Sequence, residues 1–259
     1  MRIGVTLPVV YGESTPDAVA RAAAAGADVV EIFDWESHGE AVAEAAEKEN
    51  VEFGGVLAAG AGSNIEQPEE PSVANPETRE QAVADLKRSV EGAADLGVGT
   101  VITTVGPNID TVPDDAQHRA IVSVLREVAP VAEEHGVTVV AEPLNTRVDH
   151  PGYYLTSSYE GYEIVDAVDS PNVGILFDAY HQQITEGDLV RNVREHVDDI
   201  GHVHLADNPG RNEPGTGEID YAAFLAALDD AGYEGYASGE FFPTGEPDDA
   251  VAGTVDRAE

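Results

Sequence analysis

The sequence predicts a single (β/α)8 TIM barrel spanning residues 1–259, and three observations carry that prediction. Eight short apolar, β-branched runs recur along the whole chain, and most are continuous rather than alternating, as expected for parallel strands covered on both faces. Segments with helical apolar spacing lie between them, the alternation that builds a parallel sheet flanked by helices. A chain of 259 residues is also the size of one such barrel. The competing architecture, an open doubly wound sheet, calls for a glycine-rich phosphate turn after the first strand, where LPVVYGEST stands instead of GxGxxG.

The first strand is expected in IGVTL (3–7), and the first helix in PDAVARAAAAGA, entered through Ser14 or Thr15 before Pro16 and stopped near Gly26. VVEIF (29–33) reads as the second strand, followed by periodic apolar spacing through Glu40 to Lys48. The third, VEFGGVLA (51–58), runs into a Gly/Pro/Asn-rich connection over 58–76, whose length marks it as a lid over the barrel mouth. Next come the helix PETREQAVADLKRSVEGAADLG, stopped at Gly97, and the strand TVITTVG (100–106). PDDAQHRAIVSVLREVAPVAEEHG is the helix that ends at Gly136, and VTVVAEPLN (137–145) and NVGILFDAY (172–180) are the fifth and sixth strands. IGHVHLAD (200–207), the helix YAAFLAALDDAGY with its stop at Gly232, and GYASGEFF (235–242) complete the series.

Composition narrows the chemistry. With no cysteine there is no disulfide, no thiolate metal site and no cysteine nucleophile, so any metal must be held by oxygen and nitrogen. Fifty acidic residues stand against 13 basic ones, a formal charge of −37 that repels nucleic-acid phosphate and anionic membranes and argues against both as partners. The acids are interleaved with periodic apolar segments, which is a solvated shell rather than a disordered tail. Such a shell self-repels in dilute buffer, whereas at molar salt the Debye length is about 3 Å and most of the repulsion is screened. The start, MRIGVTLPVVYGE, has a proline inside a short apolar stretch and no small-residue cleavage pattern behind it. No apolar run approaches the ~18 residues of a membrane span. The expectation is a cytoplasmic protein in a high-salt cytosol.

Polar residues at the C-terminal ends of barrel strands face the active-site mouth. Four apolar runs are broken there: by Glu142 in VVAEPLN, Asp178 in ILFDAYH, His204 in HVHLAD and Glu240 in ASGEFF. A single such carboxylate is explained as well by a salt bridge or a helix cap; four together are not. If the three carboxylates converge to about 5 Å, each pair costs on the order of 3 kcal/mol at an effective dielectric near 20, so a cation or raised pKa values are required. Three carboxylates and an imidazole suit Mg2+ or Mn2+, with Co2+ also accommodated. His202 shares a strand face with His204 and is expected to support it, and is grouped with His181 and Arg211 as substrate-binding. His181 is placed to reach a substrate oxygen or, alternatively, to cap the turn after the sixth strand. Arg211 is either in a surface ion pair with Glu213 or Asp207, or a fork for a substrate carboxylate or hydroxyl pair.

EPLN followed by HPGYYL, then FDAYHQQITEGDL, HVHLADNPGRNEPGTGEIDY and GYASGEFFP together resemble the hydroxypyruvate isomerase family, within the xylose-isomerase-like barrel group of sugar isomerases and epimerases. The resemblance runs from about Arg2 to Pro243 and is most specific in PGRNEPGTGEIDY. It implies that Glu142 and Glu240 form the proton-transfer pair and, with Asp178 and His204, the metal set. It also implies a small oxo acid or sugar as substrate and association of copies into a homo-oligomer. The implied reaction is aldose–ketose isomerisation through an enediolate, hydroxypyruvate to tartronate semialdehyde first, with 2-oxo-tetronate isomerase or ketose 3-epimerase as alternatives. Hydroxypyruvate members commonly carry glutamine where His204 stands, a position that is histidine in the ketose 3-epimerases, and Phe241 replaces a usual tyrosine. A metal-dependent nuclease shares this barrel but needs more metal-binding histidines and a basic DNA face. A non-catalytic sugar-binding barrel has no need of the four residues together.

Overall fold

In the computed structural model, which describes residues 1–258, all eight expected strands form. They are β1 (Arg2–Thr6), β2 (Val29–Ile32), β3 (Glu52–Leu57), β4 (Thr100–Thr103), β5 (Thr138–Ala141), β6 (Val173–Asp178), β7 (Ile200–Leu205) and β8 (Tyr236–Gly239). Neighbours pair in parallel in chain order, and β8 returns to β1 to close the barrel. The apolar runs overshoot the ladders at the mouth: TVITTVG extends to 106, but hydrogen-bonded pairing on β4 stops at Thr103. Residues past the ladder stay buried because the connecting loops fold back over the rim, and this overshoot supplies the site.

Among the described residues ten α-helices accompany the strands: α1 (Leu7–Val10), α2 (Pro16–Ala24), α3 (Trp35–Glu49), α4 (Arg79–Asp95), α5 (Asp114–His135), α6 (Ser158–Val168), α7 (Ala179–Thr185), α8 (Leu189–His196), α9 (Tyr221–Ala231) and α10 (Pro247–Asp256). Thr15 caps α2 by accepting from the Ala18 amide, with Pro16 in the first turn. Gly136 and Gly232 end α5 and α9 in the left-handed region that favours glycine. α1, α6, α7, α8 and α10 are not among the helices expected from the sequence; α1 and α7, at four and seven residues, are too short to show an apolar period. Among the described residues no helix is long and apolar enough to cross a membrane.

The barrel interior is divided. Ile102, Val140 and Leu176 pack together with Leu57 as an apolar plug from β3 to β6. Glu31, His202, His204 and Tyr236 make the other side, all of them buried. The connection 58–76 is fastened rather than free over much of its length. Ala61 N–H donates to Asp85, Thr104 Oγ1 to the Gly62 and Asn64 carbonyls, and Ala74 N–H to Val105 O at 2.8 Å. Only 66–70 forms a continuous exposed tip.

Candidate active site

Glu142 and Glu240 are the first residues past β5 and β8, Asp178 is the last of β6, and His204 lies one residue before the end of β7. The register sets Asp178 opposite His204, and His204 opposite Ser238, which puts Glu240 on the same inward face two residues further on. One ligand atom from each of Glu142, Asp178, His204 and Glu240 lies within 4.8 Å of all the others, and all four residues are buried. Glu142 is held by its own amide on Thr103 O and by the Tyr153 hydroxyl, which donates to Glu142 O at 2.9 Å. Asp178 caps α7: Oδ1 accepts from the His181 amide at 2.9 Å, leaving Oδ2 directed elsewhere.

Three of these four residues carry a buried polar atom without a hydrogen-bond partner: Glu142 Oε1, Asp178 Oδ2 and His204 Nδ1. His204 Nδ1 faces Glu240 Oε2 at 3.6 Å. Burial, and then the Glu240 charge, push the Glu142 carboxyl up to about 8. Burial likewise raises Asp178 despite the Arg211 charge nearby. For Glu240 burial works upward too, but Arg211 and His204 outweigh it and hold the carboxyl below its usual range. Ionised carboxylates crowded together with unpartnered oxygens are unfavourable unless a cation joins them or one takes up a proton. The three-oxygen, one-nitrogen set fits a divalent cation of the Mg2+ or Mn2+ kind.

Arg211 lies in the loop after β7, in a left-handed conformation (φ 54°). Asp207 organises that loop by accepting from the amides of Asn208, Gly215 and Ile219. Gly217 passes so close to Asn208 O that a Cβ would lie 2.2 Å from it. Phe242 N–H donates to Arg211 O at 2.7 Å, lacing the loop to the segment after β8. Thus Arg211 is turned inward, its Nη2 donating to Glu240 Oε2 at 2.5 Å, while the surface alternatives, Asp207 and Glu213, are engaged with loop amides and Thr244. Its buried Nε has no partner.

His181 is fully buried beside Asn145, whose amide N–H donates to Nδ1 at 3.2 Å. A backbone amide only donates, so the ring proton sits on Nε2, which has no protein partner and is available to a substrate oxygen. Burial and the Arg211 charge pull this imidazole down to about 3, keeping it neutral. The cap of the turn is Asp178, not His181.

His202 is not brought to the mouth. It lies two residues deeper on β7, its Nε2 2.7 Å from Glu31 Oε1, so its surroundings are a buried carboxylate rather than the open site. Glu31 was missed by the sequence reading, as was His150, whose ring centroid lies 5.4 Å from that of His181. The signal for Glu31 was available: a carboxylate interrupting the apolar run VVEIF is the same anomaly that marks Glu142. His150 is a loop residue with no such contrast.

Comparison with known proteins agrees with this fold. The family profile described as a xylose isomerase-like TIM barrel matches residues 19–257. A 2-oxo-tetronate isomerase of Pectobacterium atrosepticum is 31% identical over 176 residues, 68% of this chain and 67% of that protein. A hydroxypyruvate isomerase of Escherichia coli is 32% identical over 166 residues, 64% of each chain, so the matched region spans about two thirds of these relatives. Among solved structures, a Brucella melitensis protein described as an AP endonuclease of family 2 superposes with a TM-score of 0.89 at 26% identity, covering 98% of both chains. The matched family profile and the isomerase relatives lead to one assignment: this chain belongs to the xylose isomerase-like TIM-barrel family.

Proposed function

We propose that the protein is a metal-assisted isomerase of a small oxo acid, most directly of hydroxypyruvate to tartronate semialdehyde. The observation that carries this is the buried group Glu142, Asp178, His204 and Glu240, with three unpartnered polar atoms, next to the inward-turned Arg211. The names of the two curated relatives support the same substrate class. Glu142, Asp178, His204 and Glu240 would hold a divalent cation, which would supply positive charge beside the substrate carbonyl where negative charge develops. One of Glu142 and Glu240 removes the carbon-bound proton, and the same or the other glutamate returns it. Return to the adjacent carbon is isomerisation; return to the same carbon from the opposite face is epimerisation. Arg211 offers its guanidinium to the substrate carboxylate, and His181 its Nε2–H to a substrate oxygen. The exposed tip 66–70, where Glu66 Oε1 lies 4.0 Å from His150 Nδ1, is the part of the long connection that closes over the substrate.

Hydroxypyruvate, 2-oxo-tetronate and a ketohexose, assayed side by side with Mn2+ in high salt, test the proposal. An oxo acid is expected to be turned over fastest. Turnover of the ketohexose alone would overturn the oxo-acid assignment, and turnover of none by cation-loaded protein would overturn the isomerase.

The Brucella resemblance brings a DNA-repair alternative, which a formal charge of −37 opposes. That charge instead suits a high-salt medium. Arg2, Arg21, Arg79 and Arg119 are already paired with Glu52, Asp248, Glu127 and Asp115, and a large acidic excess is left. The urea midpoint is expected to rise between dilute buffer and molar KCl, as added salt screens that excess. Equal midpoints would remove the high-salt adaptation.

A further inference from the structure

The site described above does not use Glu31, yet few side chains in the protein are so thoroughly engaged. It is fully buried in the barrel interior, and each carboxylate oxygen has two neighbours. Oε2 accepts from Thr6 Oγ1 at 2.9 Å and meets His204 Nε2 at 3.1 Å. Oε1 accepts from the Tyr236 hydroxyl at 2.8 Å and lies 2.7 Å from His202 Nε2. The paired glycines of VEFGGVLA make room for this hub: a Cβ on Gly55 would lie 2.9 Å from Glu31 Oε1, and one on Gly54 2.7 Å from the Tyr236 hydroxyl.

We propose that Glu31 is a positioning residue for the metal centre, holding the His204 ring by its Nε2–H so that Nδ1 is presented to the cation. This rests on the assignment of Glu142, Asp178, His204 and Glu240 as ligands. A neutral imidazole has one N–H, and the nitrogen that carries it is set by the hydrogen bond the ring makes. An ionised Glu31 has no proton to donate, so in this contact the His204 Nε2–H donates to Glu31 Oε2. The opposite nitrogen, Nδ1, is the one without a hydrogen-bond partner and the one that faces Glu240. Thr6 and Tyr236 in turn fix the carboxylate, and the T-shaped contact of the His202 and His204 rings, centroids 4.9 Å apart, limits rotation of His204.

Glu31, His202 and His204 also place ligand atoms within 4.8 Å of one another, which raises the question of a second cation. The Glu31 oxygens are already engaged by two hydroxyl donors and the His204 ring, with His202 Nε2 at 2.7 Å though outside hydrogen-bond geometry, and the cluster is sealed from solvent. A hydrogen-bonded support for one metal centre accounts for those contacts better than a second centre does.

Mn2+ titration of the wild type, Glu31→Gln and Glu31→Ala by calorimetry, with thermal melts of the metal-free proteins alongside, tests the proposal. Outer partners of metal-binding histidines typically contribute about 10–100-fold in affinity, and the dissociation constant is expected to rise by that factor in both variants. Folded variants that bind Mn2+ as tightly as the wild type would overturn it. The second measurement needs no variant: 15N NMR of the Mg2+-loaded wild type should report His204 protonated at Nε2. Protonation at Nδ1 would overturn the proposal even if both variants fail to fold. A wild type that binds no cation would overturn the ligand assignment as well, an outcome distinct from tight wild-type binding left unchanged by the Glu31 variants.

Discussion

Glu142→Gln and Glu240→Gln are each expected to stop incorporation of solvent deuterium into the substrate and to lower turnover by about 10²–10⁴-fold, the range that a positioned acid–base group supplies. Glutamine keeps the length and one carbonyl oxygen but cannot carry the proton. The two variants should differ in stability, which separates their surroundings from their shared chemistry. Burial and the Glu240 charge push the Glu142 carboxyl up to about 8, so in the metal-free protein at neutral pH it is already largely protonated; glutamine keeps that neutral state, and the variant should melt close to the wild type. Glu240 is paired with the largely buried Arg211, so Glu240→Gln leaves that guanidinium without its countercharge and should melt lower. Deuterium exchange that survives in both single variants would take these glutamates out of the proton-transfer role, whatever the melts report.

Removal of the cation is the second large effect. Dialysis against a chelator should abolish turnover, and Mg2+ or Mn2+ should restore it; a bound cation supplies several kcal/mol of charge stabilisation, or about 10³-fold in rate. Asp178→Asn isolates the ligand role. Asparagine is as good an N-cap as aspartate, so the contact of Oδ1 with the His181 amide and the start of α7 can persist. The other terminal atom becomes an NH2 in place of the unpartnered Oδ2, placing a donor where a cation would need an acceptor. Mn2+ affinity and turnover should fall together while the melt of the metal-free protein changes little. Turnover by the fully chelated enzyme at the wild-type rate would remove the cation from the mechanism.

Much of this architecture could be read along the chain because its signals are local. A buried parallel strand is a continuous apolar run, and all eight runs became strands. Gly136 and Gly232 end helices because a left-handed residue is needed where each chain turns away, and that requirement shows in a few residues of sequence. The same locality made Glu142, Asp178, His204 and Glu240 visible, since each puts a polar group into an apolar run near a strand end. Short helices such as α7 were missed because they depend on their surroundings: α7 begins where Asp178 caps it, and it carries too few residues for an apolar period.

Partnership inside the barrel follows from closure and strand tilt, which no local pattern contains. His202 and His204 were known to share a face, but not that His202 lies beneath the site against Glu31 while only His204 reaches the carboxylates. Arg211 has two acidic candidates in its own loop, Glu213 and Asp207, and the turn of that loop gives it neither but Glu240, 29 residues away. Glu31 stands 173 residues from the histidine it holds, and the two meet only because β2 and β7 face the same enclosed interior. Residue type and apolar period along the chain thus determined the barrel and marked the polar residues at its mouth. Which nitrogen of His204 points to that mouth was decided by a hydrogen bond that exists only once the barrel has closed.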